Sequence, residues 1–180
     1  MRKYNDDKYR TVSILGSFNK HYETICETAK YLQQNGIQVL AQKIGTIKQN
    51  TDGYAILDTD KSTQAVVLEK NFLNNCINSD FVYVCNKEGY LGKTVMLELG
   101  FMLGKGQEVF FMERPVEEKL ILEMTQRAPI VFSPEDLVEM IKSHNNFQWT
   151  DFLGNDLFDR FGYRKANFSL PSNDGDERWE

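Results

Sequence analysis

The chain has 180 residues, 41% of them hydrophobic and 26% charged, with a net charge of -5; this size suits one compact domain with a filled core. The acidic balance argues against a binder of nucleic-acid polymers, which needs a basic face, and no run of 18 apolar residues points to a membrane span. Residues Met1 to Asp7 hold no apolar signal core, so a cytoplasmic location is expected.

Thr11–Leu15 reads as a first strand, stopping at Gly16-Ser17-Phe18. Ile25, Ala29 and Leu32 then recur at helical spacing up to Gly36, a C-terminal stop. Ile37–Ala41 is the second strand. Residues 45 to 61 read as an insertion, part loop and part short strand, with the apolar run Tyr54–Leu57 ending in Asp58-Thr59-Asp60. Ser62 is placed to cap a helix reaching about Asn78 with Val66, Leu73 and Ile77 inward. Asp80–Cys85 is a central strand, followed by a Gly-rich turn and a helix around Glu98. Glu108–Met112 is the next strand, Glu117 to Arg127 an amphipathic helix, and Pro129–Phe132 a short strand. Ser133-Pro134-Glu135-Asp136 is a helix start, with an N-cap, a first-turn proline and acids toward the dipole. The alternation predicts an α/β fold, a flavodoxin-like doubly wound parallel sheet with helices on both faces. Residues 1–146 are assigned to that domain. Residues 147–180 form an aromatic and acidic extension, with Phe152, Phe158, Phe161 and Tyr163 expected to dock on the domain or on a second subunit, and the last ten residues expected to be mobile.

Glu98 stands out as the only charge among Val95, Met96, Leu97, Leu99, Phe101, Met102 and Leu103. A helix apolar all round is normally buried, and an unpaired buried carboxylate costs several kcal/mol. Such an acid is a nucleophile or proton carrier with a shifted pKa, or half of an ion pair with a Lys or Arg at the edge of the core. Asp80 opens its strand at the end away from the expected site, which favours a structural role.

In an open parallel sheet, ligands bind beyond the carboxyl ends of the strands. Two turns lie there. The first is Gly16-Ser17-Phe18-Asn19-Lys20, where a close backbone, a hydroxyl and helix-start amides suit an anion; it also reads as an ordinary strand-to-helix turn. The second runs from Asn86 through Gly89, Tyr90, Gly92, Lys93 and Thr94. Gly92-Lys93-Thr94 has the look of a P-loop end, but Lys87 stands where that motif needs glycine, so the Walker reading fails. Lys93 and Thr94 are left as donors for a phosphate or sugar hydroxyl, or as a solvated Lys and a capping Thr. Asp58 and Asp60 reach the pocket from above or form a turn. Cys26, Cys76 and Cys85 show no CxxC spacing and read as reduced, packed thiols. His21 and His144 lie too far apart in sequence for a metal site or a Ser-His triad, so no metal is expected.

Ser79-Asp80-Phe81-Val82-Tyr83-Val84, the Gly89-Tyr90-Leu91-Gly92 turn, and Leu97-Glu98-Leu99-Gly100-Phe101 with Gly104-Lys105 together resemble the nucleoside 2-deoxyribosyltransferase family and its relatives, the deoxynucleoside 5'-monophosphate N-glycosidases. The likeness spans about residues 11 to 112 and is densest over 80 to 105. It implies that Glu98 is a nucleophile at the anomeric carbon of a nucleoside or nucleotide, with no cofactor. Two acids common in the family are replaced here by Gly92 and Phe72. With Asp58 or Asp60 as proton donor to the leaving base, the expected activity is cleavage or transfer at an N-glycosidic bond, in a homo-oligomer. The alternative is a non-catalytic nucleotide sensor with the same pocket.

Overall fold

The structure, a computed structural model, describes residues 9–51, 54–125 and 128–144. The C-terminal extension and its aromatics lie outside the described residues. Five strands form one sheet: β1 (Thr11–Gly16), β2 (Gln38–Ala41), β5 (Phe81–Cys85), β6 (Val109–Phe111) and β7 (Ile130–Val131), in the order β2-β1-β5-β6-β7. Every neighbouring pair is parallel. The chain is therefore an α/β protein with the flavodoxin-like doubly wound order. The insertion is a separate antiparallel hairpin, β3 (Ile47–Thr51) with β4 (Tyr54–Leu57).

Parallel strands need crossovers, and here helices supply most of them. α1 (Phe18–Gln34) contacts α5 (Pro134–His144), while α2 (Ala65–Asn78) contacts α3 (Lys93–Gly104). α4 (Glu118–Thr125) sends Ile121 into the core on the side of α3. β5 is buried at every residue, as expected for a strand covered on both faces. Leu15, Val82 and Val84 pack with Val95, Leu99 and Met102 of α3. Tyr83 is fully buried, and its hydroxyl donates to the Phe132 carbonyl at 2.8 Å. Among the described residues no helix is long and apolar enough to cross a membrane.

Several local expectations hold. Gly36 ends α1 with φ 84°, a left-handed position that glycine adopts without a Cβ penalty. The Ser133 hydroxyl accepts from the Asp136 amide at 3.1 Å and donates to its carboxylate at 2.7 Å, closing the cap of α5.

Others need correction. α2 starts at Ala65, with Gln64 as its cap residue, because Ser62 spends its hydroxyl on the Gln64 amide at 3.1 Å. Val66 points to solvent at 80% exposure, whereas Leu73 and Ile77 pack partly buried against the core beside the buried Leu68 and Cys76. α3 is not buried all round either: Leu97 is 78% exposed and Phe101 lies at the surface. Its neighbours cover one side only, so an apolar sequence did not mean an enclosed helix.

Candidate functional site

The order β2-β1-β5 sends the chain to opposite sides after β1 and β5, which opens a crevice at the carboxyl ends of these two strands. Gly16 ends β1 there, opposite Cys85. A Cβ on Gly16 would lie 2.7 Å from the Ile25 side chain and 3.2 Å from the Cys85 carbonyl, so glycine lets the two strand ends close up. A cavity of about 620 Å³ occupies the crevice, within the range that holds small-molecule ligands.

The cavity gathers Gly16, Ser17 and Phe18 from the first turn with Tyr90, Gly92, Lys93, Thr94 and Glu98 from the second, and Asp60 from the end of the hairpin. α1 and α3 both begin at its edge, with Ser17 and Gly92 as cap residues, and neither cap uses a side-chain hydrogen bond. Neither helix has an acid in its first turn, whereas α4 begins with Glu118 and α5 with Glu135 and Asp136. Unneutralised amides at two helix starts suit an anionic group. Lys20 lays its ammonium 3.6 Å from the centre of the Tyr90 ring, a cation–π contact at the cavity wall. The Tyr90 hydroxyl and the Ser17 hydroxyl approach Gly92, 3.6 and 3.9 Å from where its Cβ would stand.

Three nominated residues lie outside the lining. Asn86 is 1% exposed and uses both ends of its amide on the Glu113 backbone, donating to the carbonyl at 2.7 Å and accepting from the amide at 3.0 Å. Gly89, at φ 70°, has a Cβ position only 2.5 Å from the Arg114 carbonyl. Both residues lock the turn after β5 to the loop after β6. Asp58 accepts from the Thr46 amide at 2.9 Å and crowds Gly45, which fixes the base of the hairpin. Asp60 lines the cavity, but its carboxylate accepts from the Leu57 amide at 2.9 Å and pairs with Lys43 at 3.6 Å.

Glu98 is half-buried and its carboxyl is pushed up to about 8, first by burial, then by the charge of Glu69 and by a hydrogen bond with it. Glu69 comes from α2 and lines the same cavity. Two carboxyls in contact in a poorly solvated place cannot both ionise easily, so the pair retains a proton near neutral pH. This partner is an acid, where an ion pair with Lys or Arg was the other reading of the sequence. Glu69 was missed, yet the spacing Val66, Leu73, Ile77 passes through it, one turn after Val66 and one before Leu73.

Phe72 and Asn75 also line the cavity, beside Leu40 and Leu57. The Cys76 and Cys85 thiols are pushed up to about 12 and about 11 by burial, so neither supplies a thiolate. Among the described residues no group of three or more His, Cys, Asp or Glu side chains forms a metal-binding cluster. No protein-family model, curated protein or solved structure matches the chain.

Proposed function

We propose that the protein cleaves or transfers at the N-glycosidic bond of a nucleoside or nucleoside 5'-monophosphate, with Glu98 as the nucleophile. The observation that carries this reading is the Glu98 carboxyl in the cavity wall at the strand switch point, in contact with a second carboxyl. Glycosidic bonds are opened by two carboxyls with divided roles, one attacking the sugar and one moving a proton. The aromatic side chains of Phe18, Phe72 and Tyr90 in the lining suit contact with a base, and the helix-start amides with Lys93 offer a place for a 5'-phosphate. The resemblance of the Gly89–Gly92 turn and the Leu97–Phe101 segment to nucleoside 2-deoxyribosyltransferases supports the same chemistry.

A nucleotide sensor is the second reading. Gly92 and Phe72 favour it, since both replace acids that the resemblance would call for. Incubation with a panel of ribo- and deoxyribonucleosides and their 5'-monophosphates, with free base followed by chromatography, separates the two. Base release supports the enzyme. Saturable binding in calorimetry without base release from any member of the panel leaves the sensor.

A further inference from the structure

Resting on the glycosidic-bond reading, we infer that Glu69 is the proton donor to the departing base and Glu98 its nucleophilic partner, the two acting as one carboxyl pair. A base leaving a sugar as a bare anion is a poor leaving group, so a proton must reach its nitrogen as the bond breaks. Among the described residues the cavity holds three carboxyls, on Asp60, Glu69 and Glu98. The Asp60 carboxyl is engaged by the Leu57 amide and the Lys43 ammonium, which ties it to the base of the hairpin and away from the reacting group. Phe72, one turn after Glu69 on the same helix, carries no proton. Glu69 remains, and it stands beside the group that must attack.

The proton retained by the pair gives each residue its role. In the resting pair Glu98 carries the proton; its transfer to Glu69 across their hydrogen bond as substrate enters leaves Glu98 a carboxylate. A Glu98 oxygen bonds to C1', the C1'–N bond breaks with its electron pair going to the base, and the Glu69 proton passes to the base nitrogen. Glu69, now ionised, takes a proton from water or an acceptor base. The oxygen or nitrogen of that acceptor then bonds to C1', and Glu98 leaves with the electron pair of its ester bond. One proton remains on the pair, as at the start. Retaining glycosidases hold their two carboxyls about 5 Å apart, so entry of the sugar must break the Glu69–Glu98 hydrogen bond.

The test uses leaving groups that differ in their need for a proton. An N7-methylated purine nucleoside carries its positive charge already and departs as a neutral base, whereas the unmethylated nucleoside needs protonation. Both are given to one sample of Glu69→Gln, so the fraction of folded protein cancels in the ratio of the two rates. Release from the unmethylated nucleoside is expected to fall by about 10²- to 10⁴-fold, with release from the methylated one within a few-fold of wild type. Equal losses on both substrates, or no loss on either, overturn the role of Glu69. Glu98→Gln is the companion and is expected to lose both substrates alike. Wild-type protein that releases base from neither overturns the glycosidic reading itself, and the assignment of Glu69 with it.

Discussion

Asp80 and Glu98 are acids placed at opposite ends of the same sheet, with surroundings opposite in kind. One Asp80 oxygen accepts from the Arg10 amide at 3.0 Å, the Thr11 amide at 2.8 Å and the Thr11 hydroxyl at 2.8 Å. The Asp80 amide returns a bond to the Thr11 hydroxyl at 2.9 Å. That carboxylate oxygen takes three donors and joins β1 to the start of β5. Glu98 meets a second acid and apolar neighbours. An acid met by donors holds a fold together, whereas an acid met by another acid costs the fold stability and gains a movable proton. The difference lies in burial as well as in the partners: Asp80 is exposed, whereas burial is the first cause of the raised Glu98 titration.

The sharpest way to break this comparison is Glu98→Gln. Base release should fall by about 10³-fold or more while nucleotide binding in calorimetry changes little, because the lost interaction belongs to the transition state. A well-folded variant that releases base at the wild-type rate would remove Glu98 from the chemistry and leave the two acids alike.

The same variant gives a pH signature. In the folded protein Glu98 keeps its proton up to about 8, whereas in the unfolded chain it releases it near 4.5, the ordinary value for glutamate. The contribution to stability is therefore full below pH 4.5 and is lost as pH rises through about 8. Wild type and Glu98→Gln should melt alike at acid pH, and the variant should gain on the order of 3 kcal/mol above the upper limit, after allowing for partial solvent screening. A stability difference that stays flat from acid to alkaline pH would contradict the raised titration.

Asp80→Ala should act in the reverse sense. Loss of its charge-assisted bonds should cost about 2 kcal/mol in chemical unfolding, with base release per folded molecule unchanged. A fall in turnover larger than the fall in folded fraction would dissolve the distinction between the two ends. The smallest effect is expected at Gly92→Ala. Its Cβ finds only ordinary contacts with Tyr90 and Ser17, so stability should move by under about 1 kcal/mol, while ligand affinity drops a few-fold as the methyl enters the cavity wall. Unchanged affinity in calorimetry would place the ligand away from this turn.

What was legible in the sequence follows from range. Strands such as Phe81–Cys85 are continuous apolar runs between polar breaks, and Gly36 and Ser133 mark helix ends by local chemistry, so the alternation of elements and its parallel sheet could be read directly. Glu98 was visible for the same reason, as one charge in an apolar run. Its partner was not, because the contact joins two helices separated by the whole of β5, and the pattern of α2 alone presents Glu69 as one polar residue beside Lys70. Asn86 and Gly89 looked like ligand contacts since they sit in the right turn; the loop after β6, remote in sequence, claims them. Val66 and Leu97 were misjudged because hydrophobicity reports what a residue prefers and not which side of a helix its neighbours cover.

The join between Asp80 and Thr11 also bears on how the molecule acquires its site. The two residues are 69 positions apart, and the β1–β5 pair that they register ends, with Gly16 opposite Cys85, at the cavity that Gly16 lines. Pairing strands across so long a loop requires chain closure before any contact repays it. The β1–α1 unit supplies Gly16 to Lys20 and the hairpin region supplies Leu57 and Asp60, but a nascent chain that has emerged through α2 and not β5 lacks the wall from Tyr90 to Glu98. Ligand binding can thus report completion of the central pair during refolding, later than any signal from the helices alone.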